Sequence, residues 1–487
     1  MKVIDNDPEG TRLPIKIDST SNGEFVPQPL GERAALGNEL AMQRASAFAK
    51  RKGLSRRSFL VSAMGAAATL MAHNDAHARS RPGGYFELPD VAALDEAAAG
   101  ETLDKKEFIF DVQGHFVNPT GQWLEKIPDG ARPLAGLPKS ACELSDEPGD
   151  RSYLDCLSGD QFIKDVFLDS DTDLMVLSFV PSARDAEPLT IEEAAAVRDI
   201  VDTMDNHRMF LHGRVNPNQP GDLESMDDLA ENWDIVAWKC YTQFGPGGKG
   251  FWLDDDVGIA FIEKARKLGI RNICIHKGLS FGPQSFEHSR CDDVGRVAKR
   301  FPDVNFLIYH AGFDVIQEER EFQEGKRVNG IDSLVQSLID NDIGKGSNVY
   351  AELGSTWRFL MREPTQAAHA LGKLFRYVGE DNVLWGTDSI WYGSPQDQIQ
   401  AFRTFQISDE FQDRFGYPKI TSELRQKVFG LNALKPYGLD RSDVEEMIGA
   451  DRVRLAQAEY RETPNPTFRT FGPKNRREFL NLQSWGG

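Results

Sequence analysis

Basic residues are scarce in this chain. Its 487 residues include 56 lysines and arginines against 75 aspartates and glutamates, which gives a formal net charge of -19. Such a charge repels nucleic-acid phosphates and anionic membrane surfaces unless a basic patch intervenes. Outside the N-terminal region, no cluster of lysine and arginine is large enough to form that patch. The sequence therefore predicts no nucleic-acid partner.

Long apolar runs and glycine-rich loops are also missing. The weakly apolar stretch from Phe59 to Ala72 is shorter than the roughly 20 residues that a membrane span needs. No glycine-rich phosphate loop follows any strand-like run, which argues against a nucleotide-binding open sheet. At 40% hydrophobic content the chain can nevertheless bury a large core. We expect a globular protein without stable membrane insertion.

Two adjacent arginines precede this apolar stretch. Arg56 and Arg57 are followed by residues 59–72 and then by Ala76-His77-Ala78, a small-x-small cleavage pattern. This order resembles a twin-arginine export signal; the alternative is an alanine-rich amphipathic helix with a chance arginine pair. We predict a leader and signal peptide over residues 1–78, recognition by the twin-arginine export machinery, and a periplasmic or secreted protein.

A short β-branched or aromatic run recurs from residue 107 onward, each time followed by a helical stretch. The eight runs are EFIFDV, DLMVLSFVP, MFLHGRV, DIVAWKCY, IRNICIH, VNFLIYH, NVYAELG and NVLWGTD. A parallel strand with its return helix takes about 30 residues or more, and the spacing of the runs fits consecutive crossovers of that kind. The sequence predicts an α/β fold, a (β/α)8 TIM barrel, with a doubly wound open sheet as the alternative.

The barrel is predicted over residues 107–440. An N-terminal segment, residues 79–106, precedes it, and a C-terminal extension, residues 441–487, follows as a tail that wraps or stays loose. Residues 118–160 are rich in Pro, Gly and Asp, which indicates an insertion after the first strand, on the side where barrels bind ligands.

Five cysteines allow disulfides if the protein reaches an oxidising compartment. Cys142 and Cys156 both lie in the insertion and are the expected pair. Strand alternation puts Cys240 outward and Cys274 inward, so these two cannot meet easily.

Ionisable side chains close five of the eight runs: His115, Lys239, His276, His310 and Asp388. In a barrel the ends of the strands converge on one mouth. Singly, each side chain has an ordinary interpretation, such as a core histidine, a surface lysine or a helix N-cap. Together they predict either a metal site or an acid–base constellation.

Three motifs carry a family resemblance. FPDVNFLIYHAGF surrounds the sixth strand, NVLWGTD forms the eighth, and KVFGLNALKPYGL lies in the closing helix. Over residues 107–439 the chain resembles the amidohydrolase-related proteins of the amidohydrolase superfamily. The resemblance implies one divalent metal ion, with zinc as the expected ion, bound by His115, His276 and Asp388, and it places His310 near the substrate.

The chain departs from the family at Gln113, where the first histidine of a His-x-His pair would stand. Alternation puts Asp111, Gln113 and His115 on one inward face. A neutral amide oxygen is a weaker ligand than imidazole. Three interpretations stay open: Gln113 as a weak fourth ligand, a site with three strong ligands and more water, or a site without metal.

The implied reaction is attack of metal-activated water on a carbonyl. Asp388 would act as the base, and His310 with the metal would stabilise the oxyanion. We expect a metal-dependent hydrolase that cleaves the C–O or C–N bond of a lactone, ester or amide, on a small substrate that bears a carboxylate. The alternatives are a non-oxidative decarboxylase of an aromatic or enol carboxylate on the same site, and a metal-free periplasmic binding protein.

Substrate contacts are predicted at Gln113 and at four other positions around this mouth, of which Lys239 is also a candidate catalytic residue. Lys239 and Arg214 would form an anion-binding corner, although the resemblance also allows a carboxylated Lys239 between two metals. Trp357 and Trp391 would form an apolar wall. The expected partner is a small molecule, and a homo-oligomer is compatible with the sequence.

The export prediction has a direct test. Replacing Arg56 and Arg57 together with lysine should leave the precursor in the cytoplasm, because the twin-arginine machinery recognises the arginine pair. Fractionation followed by immunoblotting measures this, and the conservative change of Arg44 and Arg51 to lysine is the control. Normal export of the Arg56/Arg57 variant would contradict the prediction.

Overall fold

Ten strands and twenty α-helices make up the described chain. The computed structural model describes residues 13–23, 25–126, 153–203, 207–280, 286–326, 329–449, 452–466 and 468–483. The strands are β1 Gly84–Phe86, β2 Phe110–Gly114, β3 Leu174–Leu177, β4 Met209–Arg214, β5 Ile235–Tyr241, β6 Asn272–His276, β7 Asn305–Tyr309, β8 Val349–Glu352, β9 Val383–Leu384 and β10 Phe405–Ile407.

The helices alternate with the strands through the middle of the chain. Their bounds are α1 Glu32–Lys52, α2 Arg56–Val61, α3 Ala63–His77, α4 Glu96–Leu103, α5 Trp123–Lys126, α6 Gly159–Ile163, α7 Ile191–Asp202, α8 Asp222–Asn232, α9 Asp256–Leu268, α10 Val294–Arg300, α11 Ile331–Asp340, α12 Thr356–Leu360, α13 Pro364–Lys373, α14 Gln396–Thr404, α15 Asp409–Phe415, α16 Ser422–Gln426, α17 Asn432–Tyr437, α18 Arg441–Met447, α19 Arg452–Glu462 and α20 Arg476–Gln483.

Strands β2 to β9 form one parallel sheet in chain order, while β1 and β10 pair antiparallel outside it. At least one helix separates each barrel strand from the next. This arrangement confirms the predicted TIM barrel, and each of its strands overlaps one of the eight apolar runs.

Main-chain hydrogen bonds between the first and last strands close the barrel. Asp388 N donates to Gln113 O over 2.9 Å, and Ile390 N donates to His115 O over 3.1 Å. The segment after β9 therefore continues the sheet alongside β2, and it brings residue 388 beside residues 113 and 115.

Apolar side chains fill the barrel and also cover its outside, which explains why the runs are almost continuously apolar. The inner cluster contains Phe110, Val112, Leu174, Val176, Ala237, Cys274, Leu307, Tyr309, Tyr350 and Leu384, with Ala433, Leu434 and Val444 from α17 and α18. Cys240 belongs to the outer cluster. Cys274 is thus inward and Cys240 outward, as the alternation predicts, and both are free thiols.

Strand β2 does not keep the simple alternation that the sequence suggests. Phe110 and Val112 belong to the inner cluster, so Asp111 does not share the inward face of Gln113 and His115. The reason is a shift in the β2–β3 register between Asp111 and Gly114. Such an irregularity re-aims the residues that follow it.

Most of the predicted insertion lies outside the described residues, which stop at Lys126 and resume at Tyr153. Cys142 is among the residues left out. Cys156 is disulfide-bonded, and its pairing with Cys142 stays a prediction. Among the described residues, no helix combines the length and the apolar character that a bilayer crossing requires.

Residues of the predicted leader pack against one another in the structure. Helix α1 lies against α3, and a Cβ on Gly37 of α1 would come within 2.3 Å of His73 Nδ1 in α3. Helix α3 contains most of the apolar part of the predicted signal, and its Ala67 and Leu70 are fully buried. Small residues allow this close approach while giving little hydrophobic signal in the sequence. Export and cleavage stay predictions.

An extended segment, residues 13–23, precedes α1; we call it the N-terminal strap. Its Asp18 carboxylate pairs with Arg358 over 2.6 Å, and both side chains are buried. Thr470 donates a further hydrogen bond to the same carboxylate over 2.6 Å. Burial raises the pKa of Asp18, but Arg358, Lys474 and these hydrogen bonds outweigh it, so the pKa lies below its usual value.

The C-terminal tail wraps around the barrel beside the strap. Phe471 N donates to Trp391 O over 2.9 Å, and Ser21 N donates to Pro473 O over 2.9 Å. Phe471 is buried. The two ends of the chain therefore meet over the loop that follows β9.

The Asp18–Arg358 pair predicts a large stability effect. Asp18→Ala should lower the free energy of unfolding by about 3–5 kcal/mol at pH 7, because Arg358 would keep a buried charge without its partner. Urea unfolding of the full chain measures this change. Because the pKa of Asp18 is lowered on folding, the difference from wild type should be complete above pH 3.8, its unfolded value, and shrink at lower pH.

Asp75→Ala is the control for this measurement, because Asp75 pairs with Arg44 in an exposed position. Its effect should stay below about 1 kcal/mol. Equal losses in the two variants would contradict the role given to the buried pair.

Candidate functional site

Four of the predicted side chains form two pairs at the carboxyl ends of the barrel strands. His115 Nε2 lies 3.1 Å from Asp388 Oδ1. His276 Nδ1 lies 3.2 Å from His310 Nε2. All four side chains are buried. The barrel thus brings together residues that are far apart in the sequence.

Gln113 also lies at this site, but its amide nitrogen faces Asp388. Gln113 Nε2 donates to Asp388 Oδ1 over 3.0 Å and lies 3.2 Å from His115 Nε2. Its buried Oε1 has no hydrogen-bond partner among the described residues. In this structure Gln113 is a hydrogen-bond donor to Asp388, whereas the weak-ligand interpretation needs the amide oxygen.

Asp388 accepts hydrogen bonds on both carboxylate oxygens. Besides the contacts at Oδ1, Oδ2 accepts from Ser355 Oγ and, over 2.8 Å, from Asn22 Nδ2. Burial raises the pKa of Asp388, but the hydrogen bond and charge of His115, with His310 and Ser355, bring it down to about 2. Asp388 is therefore ionised near neutral pH.

The His276–His310 pair brings two nitrogen lone pairs together. His310 Nδ1 lies 2.6 Å from Gly354 O, and His276 Nε2 lies 3.2 Å from Leu279 O. A carbonyl oxygen requires a proton on the nitrogen that faces it, so a neutral ring carries its lone pair on the other nitrogen. Those other nitrogens are the two that face each other.

Both rings are neutral near pH 7. Burial, the neighbouring His310 and the Lys239 ammonium hold the pKa of His276 well below its usual value. Burial lowers the pKa of His310 to about 4, although Asp388 raises it. Two converging lone pairs beside an ionised carboxylate favour a cation.

In donor type the site fits a divalent metal ion, because neutral imidazole and carboxylate are its common ligands. The four side chains are spaced as two separate pairs, His115 with Asp388 and His276 with His310. Across the described ranges, no group of three or more His, Cys, Asp or Glu side chains is arranged to hold a metal ion.

Lys239 lies inside the barrel below the histidines. Its ammonium stands 3.9 Å from the centre of the Tyr309 ring and 4.9 Å from that of Tyr241. Aromatic faces stabilise a cation. This environment suits an unmodified ammonium, the form expected from the sequence in preference to a carboxylated lysine.

Arg214 is neutralised by protein carboxylates. It forms a salt bridge with Glu187 and lies 3.6 Å from Asp222 Oδ2, and it donates to Ser182 O over 3.2 Å. Of the two side chains of the predicted anion-binding corner, Arg214 is thus already paired with protein carboxylates.

The two predicted tryptophans lie in different places. The Trp391 ring lies against the His115 ring, with centroids 5.7 Å apart and an angle of 31° between the planes. Trp357 is fully buried, donates to Gln398 O over 2.9 Å and contacts the Phe402 ring. Trp391 thus borders the site, whereas Trp357 has the contacts of a core residue.

Glu352 is a further residue of the site that was not predicted from the sequence. It ends β8, accepts from His310 N over 3.0 Å and from Gly354 N over 2.6 Å, and thereby fixes the backbone that carries His310. Burial raises its pKa to about 8, against the hydrogen bond from His310 and the charge of Lys239. A polar residue near the end of the run NVYAELG is the sequence feature that could have identified it.

Backbone conformation at the site is unusual. His310, Ser355 and Asp388 have φ values of 65°, 53° and 57°. Positive φ is uncommon outside glycine, and it persists where surrounding contacts hold it, often at functional sites. Each of these three residues contacts another residue of the site.

Solved structures resemble the chain at low sequence identity. The 5-carboxyvanillate decarboxylase LigW from Sphingomonas paucimobilis is 12% identical, with a TM-score of 0.44, over 69% of this chain and 100% of that chain. The 5-carboxyvanillate decarboxylase from Novosphingobium aromaticivorans, solved with manganese, is 14% identical, with a TM-score of 0.41, over 70% and 97%. The 2,6-dihydroxybenzoate decarboxylase from Rhizobium is 15% identical, with a TM-score of 0.39, over 68% and 99%. Likenesses at this level carry no inference about the reaction or the metal.

The family is shown by sequence. No curated protein matches the chain, but residues 164–439 match the family described as Amidohydrolase. This match covers more than half of the 487 residues and contains His276, His310, Glu352 and Asp388. The chain is an enzyme of the amidohydrolase family.

Proposed function

We propose that this enzyme is a metal-dependent hydrolase that cleaves a C–O or C–N bond of a small organic substrate, such as a lactone, an ester or an amide. The observation that carries the proposal is the neutral His276–His310 pair beside an ionised Asp388, in which His276 Nδ1 presents a lone pair to an ion and His310 Nε2 presents one to a proton. His115, His276 and Asp388 would hold the ion. Family membership supports the same assignment.

A bound divalent ion would supply Lewis acidity and lower the pKa of a coordinated water. The protein would contribute orientation and proton transfer. Asp388, ionised and held by hydrogen bonds from Gln113, Asn22 and Ser355, suits cation binding better than proton abstraction, because its pKa is about 2. This favours His310 over Asp388 as the base.

His310 has the geometry of a proton acceptor. The proton on its Nδ1 is held by Gly354 O, so Nε2 presents a lone pair to the site. In hydrolysis, the water oxygen would bond to the carbonyl carbon while His310 Nε2 takes a water proton. That proton would then pass to the departing oxygen or nitrogen. This role differs from the predicted oxyanion contact, which needs a proton on Nε2.

Glu187 and Asp222 already neutralise Arg214, so this side chain is a poor contact for a substrate carboxylate. Lys239 is the other predicted contact for such a carboxylate, and neutral esters and amides suit the site equally. Product analysis on lactones, amides and carboxylated aromatics tests the reaction type. Release of carbon dioxide without hydrolysis would identify the decarboxylase alternative instead.

Metal content tests the central claim. Asp388→Ala should weaken metal retention at least about 100-fold, since even residues behind the ligands cost about 10–100-fold. Gln113→His should strengthen retention, because imidazole is a better donor than a neutral amide. Elemental analysis after dialysis against a chelator measures both variants, with Asp75→Ala as the exposed control.

Two results would reject the metal-centred proposal. One is full activity of the wild-type enzyme without bound metal. The other is unchanged metal retention in Asp388→Ala. Either result would favour an acid–base hydrolase or a binding protein.

Glu352 predicts a separate effect on His310. Glu352→Ala should lower the free energy of unfolding by about 2–4 kcal/mol, because two buried N–H groups lose their acceptor. Turnover should fall about 10–100-fold as the His310 backbone loses its anchor. Urea unfolding and steady-state rates measure these effects, and Glu101→Ala on the exposed side of α4 is the control. Wild-type turnover in Glu352→Ala would disprove the positioning role.

A further inference from the structure

The N-terminal strap reaches the candidate site from the region that a signal peptidase would remove. Asn22 Nδ2 donates to Asp388 Oδ2 over 2.8 Å and lies 3.5 Å from Ser355 Oγ. Cleavage after Ala78 would take this contact away. Cleavage of the predicted export signal would therefore remove the same residues that the contact with Asp388 requires.

Barrel residues anchor the strap at Lys16 and at the backbone of Asp18. Lys16 N donates to Asp397 Oδ2 over 3.1 Å, and Lys16 Nζ donates to Ser394 O over 2.6 Å. Arg362 donates to Asp18 O over 3.2 Å. These contacts are buried, so the strap is attached at several points that are independent of Asn22.

Asn38 connects the strap to the helices of the predicted leader. Its Nδ2 donates to Ile17 O over 2.7 Å, and its Oδ1 lies 3.1 Å from His73 Nε2. Asn38 and His73 are both buried. The strap, α1 and α3 are thus joined by a polar contact that requires a specific partner on each side.

Removal of residues 1–78 would leave buried charged side chains without partners and would expose apolar surface. Arg358, buried in the complete chain, would lose the Asp18 carboxylate, and Asp397 would lose Lys16. Buried charges without partners are strongly unfavourable. The apolar surface that covers Leu13, Ile15 and Ile17 would also be exposed to water.

We propose that residues 13–78 are retained in the working protein and that Asn22 is a positioning residue, which orients Asp388 for cation binding. The second part rests on the proposed function, whereas the first does not. Asn22 donates to the oxygen of Asp388 that faces away from His115 and Gln113, so the carboxylate is fixed from both sides. The strap then forms one side of the site in the working protein.

Retention is tested on the natural protein. The full chain, tagged at its C-terminus, is purified from the organism that makes it, and its mass and N-terminal sequence are determined. The expected population contains Asn22. A population that begins at Arg79, or at any residue beyond Asn22, overturns the proposal whatever the reaction proves to be.

Positioning is tested with three variants of the full chain. Asn22→Ala removes the donor, Asn22→Asp keeps the shape but places a carboxylate against Asp388, and Gln28→Ala is the control. The Gln28 amide donates to Val26 O over 2.9 Å, within its own segment. The dissociation constant for Zn²⁺ should rise about 10-fold in Asn22→Ala and by more in Asn22→Asp. Gln28→Ala should match wild type.

Thermal unfolding of the same proteins without metal tests the contact between Asn22 and Asp388 separately from the metal-dependent function. Asn22→Asp should melt at a lower temperature than Asn22→Ala, because two carboxylates would face each other. If wild type binds no Zn²⁺ but this order holds, the metal-dependent function fails and the contact between strap and site stands. Equal melting temperatures, or wild-type Zn²⁺ affinity in both Asn22 variants, overturn the positioning role.

Discussion

Closure of the barrel is the constraint on which the site depends. The main-chain bonds from Asp388 N to Gln113 O and from Ile390 N to His115 O join the first strand to the segment after the last. The same segment carries the side chains that meet at the site. A shift of one residue in this pairing would turn Gln113 and His115 to the other face. The register that closes the sheet is therefore also the register that builds the site.

The carboxylate of Asp111 strengthens this junction. It accepts from the backbone N–H groups of Gln113 and Thr387, each over 3.1 Å, and from the Thr387 hydroxyl. One side chain thus connects the backbone of β2 with that of the segment after β9. Burial raises the pKa of Asp111 to about 7, although these hydrogen bonds lower it. The Asp-x-Gln-x-His stretch at residues 111–115 is consequently one structural unit, in which Asp111 holds the junction and the other two residues face the site.

The barrel and its donor residues could be predicted because their signals are local. Each strand is an apolar run of a few residues, and His115, His276, His310 and Asp388 lie at the ends of such runs or just beyond them. Glu352 was missed although it ends β8, because a carboxylate at a strand end is less distinctive than a histidine. The prediction that Asp111 faces inward was wrong. Alternation assumes an unbroken strand, and the register shift in β2 interrupts it.

Asn22 could not be predicted, because it lies 366 residues from Asp388 and nothing in its own neighbourhood indicates a site. Arg214, in contrast, was predicted as a substrate contact and is instead paired within the protein. Its position at the end of β4 suggested a substrate contact, but its charge is already used by Glu187 and Asp222. Which donors and acceptors satisfy one another depends on long-range packing, and composition and spacing carry no information about it.

Alanine-rich composition is shared by signal peptides and by tightly packed helices, so it cannot distinguish the two for α3. Specific polar contacts can. A segment that is recognised only for its arginine pair and its apolar length needs no buried histidine, yet His73 is fully buried and faces Asn38 Oδ1. Burial, with the neighbouring His77, lowers the pKa of His73 to about 3, so the ring is neutral, and its Nε2 keeps one polar contact in the core. Gly37 allows the His73 ring to approach the α1 backbone at a distance that a Cβ would prevent. A glycine, an asparagine and a histidine that fit one another in this way are expected of a helix that keeps one partner, and they favour a leader that stays in the folded protein.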